Sequence, residues 1–156
     1  MFTDPRHSRH KTQAARMKKS DMSGMCIFCP EGLKHIHHLP IEKKTRHWVL
    51  TDNAFPYEGA ELHKLCIPRA HLTDASQISK DAWAELHIIF AYIKKTYGPP
   101  GYSIFMRCGN TAHTGATITH LHLQIIAGNS SADTPEQSRE ALTTKIGYKK
   151  KKRTSR

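Results

Sequence analysis

Two histidines and a glutamine alternate along one short stretch of the chain, which reads Thr119-His-Leu-His-Leu-Gln-Ile-Ile126. The intervening apolar residues are typical of a β-strand, in which successive side chains point to opposite faces. His120, His122 and Gln124 should therefore share one face, about 6.5 Å from one to the next. A neutral imidazole is a competent nucleophile near pH 7. This face could carry chemistry on an anion, and an ordinary half-exposed strand with polar residues is the alternative.

The segment Gly115-Ala-Thr117 comes just before this strand. It supplies a flexible turn, a hydroxyl group and backbone N–H groups, which together can bind phosphate oxygens. A phosphate-binding loop directly before a strand with possible histidine nucleophiles indicates a reaction at phosphorus.

Cys26 and Cys29 form a Cys-x-x-Cys pair. Structural disulfides are rare in cytosolic proteins, so the pair indicates a metal site or a redox pair. Pro30 and Gly32 follow at once and no long helical pattern begins there, which disfavours a redox pair at a strand-to-helix turn. A third reading gives the pair no special role.

Positive charge is concentrated at the two ends of this 156-residue chain, whose formal charge is +11. Residues 1–25 hold six Lys or Arg and two Asp, residues 141–156 hold seven Lys or Arg, and the residues between them are formally neutral. We expect a basic disordered tail over 1–24, one domain over 25–147 and a second basic disordered tail over 148–156. Neither a secretory signal nor a membrane span is predicted, so we expect a cytoplasmic protein. The basic run 149–153 leaves a nuclear location open, and the tails leave nucleic acid open as a partner.

Four strands and a long helix are predicted to position these residues. The strands cover about 46–51, 62–69, 102–108 and 119–127, and the helix covers 80–97. Trp83, Leu86, Phe90, Ile93 and Tyr97 are predicted to form the buried stripe of that helix. A capping-box start at Thr134 predicts a short C-terminal helix ending near Gly147. The expected class is α+β, with a mostly antiparallel sheet and one long central helix.

The segment from Gly115 to Ile126 resembles the signature of the histidine triad (HIT) superfamily. Gln124 stands at the third histidine position, as in the branch that contains galactose-1-phosphate uridylyltransferase and the dinucleoside polyphosphate phosphorylases. Four further elements occur in the family's order, namely Cys26–Cys29, Phe55-Pro-Tyr57, His63 and Pro68-Arg-Ala-His71.

The resemblance implies catalytic and substrate-binding roles. It makes His122 the nucleophile that forms a covalent nucleotidyl-histidine, and it makes Gln124 and Thr117 donors to the phosphate oxygens. It places Asn110 and the loop at Gly115 near the phosphates, and Asn53 near the ribose if two extra residues are allowed before His63. Ala116 departs from the glutamine found in many hydrolytic members.

The same resemblance implies a structural zinc ion and a homodimer. The zinc ligands would be Cys26, Cys29, His71 and His120, a closed tetrahedral Cys₂His₂ set. His35, His37 and His38 are nearer to the cysteines in sequence, and a local loop site is the alternative.

The implied activity is that of a nucleotidyl transferase, phosphorylase or hydrolase, which cleaves a nucleoside 5′-phosphoryl bond in a dinucleoside polyphosphate or a nucleotide phosphoramidate. One alternative is removal of an adenylate or cap from a nucleic-acid end. Another is a zinc-stabilised nucleic-acid-binding module without catalysis. We expect the basic tails to bind polyanions and to contribute little to turnover of small nucleotides.

Overall fold

Five antiparallel strands form one open sheet in the computed structural model, which describes residues 1–129, 142–144 and 146–147. The strands are β1 (Ile41–Lys44), β2 (Trp48–Asp52), β3 (Leu62–Pro68), β4 (Ser103–Met106) and β5 (Leu123–Ala127). Their order across the sheet is β1-β2-β3-β5-β4. The predicted α+β class and mostly antiparallel sheet are confirmed. The sequence did not predict β1, because its Ile-Glu-Lys-Lys stretch lacks the apolar alternation of a half-buried strand.

Four helices accompany the sheet in the described residues: α1 (Lys11–Ser23), α2 (Pro30–Gly32), α3 (Lys80–Tyr97) and α4 (Thr111–Thr114). A π-helical turn, Leu33–His37, continues α2, and 3₁₀ turns occur at Pro5–His7 and Ala75–Gln77. The predicted long helix is confirmed. Ser79 Oγ accepts from the Ala82 N–H at 3.2 Å at its start, and Gly98 ends it with a left-handed φ of 57°.

The buried face of α3 is rotated away from the predicted stripe. Ala82, Leu86, Ile89 and Ile93 are buried, whereas Trp83 is 44% exposed and Tyr97 is 41% exposed. The buried side chain of Trp48 in β2 packs in the same cluster as these four residues, and its indole Nε1 donates to the carbonyl oxygen of Ala82 at 2.7 Å. Leu121, Leu123 and Ile125 pack in the same cluster beneath the helix, as the alternation of the histidine segment predicts.

The N-terminal segment, residues 2–24, is folded onto the opposite face of the sheet. Met17 in α1 is 1% exposed and packs with the segment that contains Phe28 and with β2 and β3. Backbone bonds fix the segment further: the Asp4 N–H donates to the Thr117 carbonyl at 2.8 Å, and the Thr119 N–H donates to the Phe2 carbonyl at 3.0 Å. The prediction of a disordered tail over 1–24 is therefore corrected. These contacts are mostly between backbone groups, which leave no pattern in the sequence.

Most of the predicted C-terminal helix and all of the predicted basic tail 148–156 lie outside the described residues; within the helix prediction, residues 142–144 and 146–147 are described and are not helical. Within the described part of the chain, no helix is both long enough and apolar enough to cross a bilayer.

Candidate functional site

A cavity of about 470 Å³ lies on the face of the sheet that the N-terminal segment covers. Its walls include the histidine segment, the loop at 115–118, the loop at 53–57 and the N-terminal segment, and further lining comes from Ile27, Phe28, His37, Leu65, Arg107, Thr143 and Thr144. The predicted site residues that line it are Asn53, Gly115, Thr117, His122 and Gln124. The structure thus brings together five residues that are spread over 72 positions of sequence.

His122 is held by a hydrogen bond to the backbone two residues earlier. Its Nδ1 lies 2.8 Å from the carbonyl oxygen of His120. A carbonyl oxygen can only accept, so Nδ1 carries the ring proton and Nε2 retains its lone pair. Burial lowers the pKa of His122 to about 4, which keeps the ring neutral at pH 7. The edge of the Phe28 ring contacts it in a T-shaped pair at 5.1 Å between centroids.

Gln124 is oriented by His63, a residue that the sequence had identified as a family element without assigning it a role. The backbone N–H of Tyr57 donates to His63 Nδ1 at 3.0 Å, so the proton of the neutral ring lies on Nε2. That nitrogen lies 2.9 Å from Gln124 Oε1. The carbonyl end of the Gln124 amide is thereby engaged, and its NH₂ end is the end left for a substrate oxygen. Burial lowers the pKa of His63 to about 4, which keeps this donor arrangement at pH 7.

The loop before the histidine segment turns at Gly115, whose φ of 70° lies in the left-handed region. Ala116 and Thr117 follow and line the cavity. Two of the amides that the sequence suggested for phosphate binding are used within the loop itself. The Gly115 N–H donates to the Thr111 carbonyl at 2.8 Å, and the Ala116 N–H donates to Thr114 Oγ1 at 3.3 Å.

Asn110 is not among the residues that line the cavity. It is exposed, and its Oδ1 accepts from the Ala112 N–H at 2.9 Å as the N-cap of α4. In the structure Asn110 caps α4 and lies outside the cavity lining, so the expected contact of Asn110 with phosphate is not supported. Asn53 does line the cavity, with Oδ1 accepting from the Phe55 N–H at 2.9 Å; its Nδ2 lies 2.9 Å from His63 Nε2, and because both nitrogens carry protons in this arrangement the pair is a close contact and not a hydrogen bond. Its contact with a ribose stays a prediction.

Four arginines that the sequence had not assigned to the site line the same cavity: Arg6, Arg9, Arg16 and Arg107. Three of them belong to the N-terminal segment. The amino-terminal charge therefore lies at the candidate site and not in a separate tail, while its contribution to turnover stays a prediction. A high positive charge over residues 1–25 was visible in the sequence, but nothing in it showed that α1 returns to the site.

The predicted metal ligands meet in one cluster beside the cavity. Ligand atoms of Cys26, Cys29, His71 and His120 all lie within 4.8 Å of one another. His120 Nδ1 is 3.4 Å from Cys26 Sγ and 3.6 Å from Cys29 Sγ, and His71 Nδ1 is 3.3 Å from Cys29 Sγ. The competing histidines are elsewhere, since His37 Nε2 forms a hydrogen bond of 3.2 Å with Thr51 Oγ1 and both His35 and His38 are exposed.

This cluster has the dimensions of a tetrahedral zinc site. Bonds of about 2.3 Å to sulfur and about 2.0 Å to nitrogen place the two ligand atoms about 3.5 Å apart at a tetrahedral angle. His120 Nε2 lies 2.9 Å from the Pro68 carbonyl, which places the ring proton on Nε2 and presents Nδ1 to the cluster. Burial raises the pKa of the Cys26 thiol to about 12, so a cation is needed to hold it as a thiolate at pH 7.

The chain is similar to known proteins in sequence and in fold. The chain is 26% identical over 101 residues to the adenosine 5′-monophosphoramidase hnt1 of Schizosaccharomyces pombe, covering 65% of this chain and 72% of that protein.

Among solved structures, a HIT family hydrolase from Clostridium thermocellum is 23% identical, with a TM-score of 0.56 over 70% of this chain and 96% of that one. A Zn-bound histidine triad family protein from Mycobacterium smegmatis is 18% identical, with a TM-score of 0.52 over 76% and 84% of the two chains. These likenesses show the fold. Residues 44–131 match the HIT domain model, which covers more than half of the sequence, and the chain therefore belongs to the HIT domain family.

Proposed function

We propose that this HIT-family enzyme cleaves a nucleoside 5′-phosphoryl bond through a covalent intermediate on His122. The observation that carries the proposal is the bond from His122 Nδ1 to the His120 carbonyl, because it leaves the Nε2 lone pair for attack. Nε2 forms a bond to the α-phosphorus as the bond to the leaving group breaks, and the leaving group departs with that electron pair. Water or another acceptor then displaces the imidazole from phosphorus.

Two neighbouring side chains suit the charge that develops on the phosphoryl oxygens. His63 engages Gln124 Oε1 and so presents the Gln124 amide NH₂ to the cavity, while Thr117 contributes a hydroxyl from the adjacent loop. Donors fixed before the reaction stabilise such charge without reorganisation. The Schizosaccharomyces pombe relative is named an adenosine 5′-monophosphoramidase, and this name supports a nucleoside 5′-phosphoryl bond as the target.

Gln124 stands at the third histidine position, and in the family branch that has glutamine there the nucleotidyl group is often transferred to phosphate or to a sugar phosphate. Hydrolysis by water is the other possible outcome. Gln124 has no titratable proton to give to the leaving group. The leaving group is therefore protonated by solvent, or it departs unprotonated where its basicity is low. Comparing the products formed with and without added phosphate distinguishes the two acceptors.

The trapping experiment uses a nucleotide labelled in its α-phosphate. Wild-type protein is expected to form an acid-labile nucleotidyl adduct that His122→Asn does not form, with turnover lowered by at least about 10³-fold. His87→Asn removes an exposed histidine on α3 and serves as the matched control. Absence of adduct and turnover in the wild type, together with tight oligonucleotide binding, would instead favour a non-catalytic nucleic-acid-binding module.

We also propose that Cys26, Cys29, His71 and His120 bind one structural Zn²⁺. The 3.3–3.6 Å separations between sulfur and nitrogen atoms support this, as does the Zn-bound relative from Mycobacterium smegmatis. Bound zinc would hold the segment at 26–29 against the histidine segment and add to folding stability. Purified Cys26→Ala protein is expected to lack zinc, whereas Cys108→Ala, outside the cluster, keeps one zinc per chain. One zinc retained by Cys26→Ala would contradict the ligand set.

A homodimer is proposed through the edge of the sheet at β4. Its outer side is an unpaired edge in the described residues, and Ile104 on it is 41% exposed. Light scattering on the wild type and on Ile104→Glu tests this, with the dimer expected only for the wild type.

A further inference from the structure

The N-terminal segment forms part of the cavity although it lies outside residues 44–131, the range that matches the family model. Arg9 reaches across the cavity mouth, where its guanidinium donates to the Phe55 carbonyl at 2.6 Å. Arg16, in α1, has its guanidinium 5.2 Å from the centre of the Phe55 ring. His10 stacks on the same ring at 5.7 Å between centroids. The segment is therefore joined to the loop at 53–57 over the site.

Both ends of this basic stretch are fixed to the fold. Before it, Thr3 makes a β-bridge to Ile118, and the buried carboxylate of Asp4 accepts from Arg6 Nε and Nη2, each at 2.8 Å. After it, Met17 is buried in the cluster beneath α1. Residues 6–16 are thus held in place by neighbours on both sides, as the wall of a binding site requires.

The charge along this wall is one-sided. Among the described residues that line the cavity, four are arginines and none is an aspartate or a glutamate. Asp4 balances Arg6, but the contacts of Arg9 and Arg16 are with carbonyl oxygens and aromatic rings, which leave their positive charge unneutralised. A fixed cationic wall of this kind attracts an anion of more than one charge.

Two arginines meet at one tyrosine beside the reacting groups. The Arg9 guanidinium lies 4.2 Å from the centre of the Tyr57 ring, and Arg107 Nη2 donates to the Tyr57 hydroxyl at 3.3 Å. Partial burial lowers the pKa of Arg9; Tyr57 opposes this shift, and the like charge of Arg107 adds to it. Tyr57 also bonds to His63, which orients Gln124. The cationic wall therefore adjoins the groups that handle the α-phosphate.

We infer that Arg9 and Arg16 form a subsite for a leaving group that carries a chain of two or more phosphates. The inference rests on the proposed function, since it assigns the part of the substrate that departs when His122 attacks. Arginine suits this role because its guanidinium donates in parallel to phosphate oxygens. An amine leaving group, as in a nucleoside phosphoramidate, would leave this wall without a partner.

Two substrates that share an adenosine 5′-phosphoryl half test the subsite. Diadenosine tetraphosphate releases a group with three phosphates, and adenosine 5′-phosphoramidate releases ammonia. The ratio of their kcat/KM values is expected to fall roughly 10–100-fold in an Arg9→Gln, Arg16→Gln double variant. Lys19→Gln removes one positive charge from an exposed position of the same helix, and is expected to shift the ratio less than about twofold. An equal change in both substrates, or a change matched by Lys19→Gln, would overturn the inference.

A binding measurement separates this inference from the proposed function. Isothermal titration with inorganic tripolyphosphate is expected to give roughly tenfold weaker binding to the double variant than to the wild type and to Lys19→Gln. If the wild type cleaves neither nucleotide but shows this binding difference, the proposed reaction fails and the phosphate subsite stands. If both nucleotides are cleaved and tripolyphosphate binds all three proteins equally, the reaction stands and the subsite fails.

Discussion

Nδ1 of His122 lies 2.8 Å from the carbonyl oxygen of His120, while Nδ1 of His120 itself lies 3.4 Å from Cys26 Sγ. One residue therefore contacts the metal-binding cluster through its ring and the nucleophile through its backbone. Phe28, between the two cysteines in sequence, adds a second connection through its T-shaped contact with His122. Order in the metal-binding cluster and the aim of the nucleophile should consequently change together.

Gly32→Ala tests this connection without removing a ligand. A Cβ at position 32 would overlap the carbonyl oxygen of Cys26, a backbone atom, so the segment at 26–29 would have to shift. We expect a lower zinc content by metal analysis and a parallel loss of turnover. Gly101→Ala is the control, because a Cβ there meets nothing within 4 Å. If Gly32→Ala lost zinc but kept full turnover, the metal-binding cluster and the position of His122 would be independent of each other.

His63→Ala should impair catalysis through Gln124. Without the donor at 2.9 Å from Gln124 Oε1, the amide is no longer held with its NH₂ end towards the substrate. We expect kcat to fall roughly 10–100-fold, with a smaller change in KM. The Gln124→Ala variant and the double variant complete a cycle, and the double variant should be little worse than Gln124→Ala alone. Additive losses would show that His63 acts independently of Gln124.

Asp4→Asn should loosen the N-terminal segment. The carboxylate of Asp4 is buried and accepts from Arg6 and from Thr111 Oγ1, the latter at 3.2 Å, and its pKa is held well below the ordinary range chiefly by Arg6. Removing its charge should lower the free energy of unfolding by about 2 kcal/mol, measured in urea. Hydrogen exchange should become faster at the Asp4 amide. Asp81→Asn, exposed in the first turn of α3, should cost less than about 0.5 kcal/mol.

Buried His37 should make the protein less stable in mild acid. Burial and the nearby Arg16 lower its pKa to about 4, whereas the unfolded chain has the ordinary value near 6.5. Between these values the unfolded state binds the extra proton. The contribution to stability is therefore complete above pH 6.5 and is lost as the pH falls towards 4, by up to about 1.4 kcal/mol per pH unit.

Urea unfolding of the wild type and His37→Gln between pH 7 and pH 5 measures this loss. The variant should show the shallower dependence on pH, whereas His35→Gln, at an exposed position in the same turn, should follow the wild type. Identical slopes for all three proteins would contradict a titrating role for His37.

The sequence was most informative where side chains alternate or repeat regularly. Alternation along the histidine segment correctly placed Leu121, Leu123 and Ile125 beneath α3 and His122 and Gln124 on the other face. The bounds of α3 followed from Ser79 and Gly98, but its rotation did not, since apolar residues occur on more than one side of the helix. The buried side is the one that packs against the sheet, through Trp48, Leu50, Leu121, Leu123 and Ile125.

The remainder of the site depends on contacts that residue types do not encode. Asn110 shows one reason, because asparagine is equally suited to cap a helix and to bind a phosphate, and the structure shows the cap. The N-terminal segment shows another. Its pairing with Thr117 and Thr119 uses backbone groups, so a basic, polar stretch that is held in the fold has the same composition as one that is not.

The bonds from Phe2 to Thr119 also bear on the order in which the protein is assembled during synthesis. The two residues are 117 positions apart, so the ribosome has made most of the domain before the partners of residues 2–4 exist. Contacts so distant in sequence slow folding, because a long loop must close before they form. The pocket around His122, which this segment helps to line, should therefore be completed among the last events of folding.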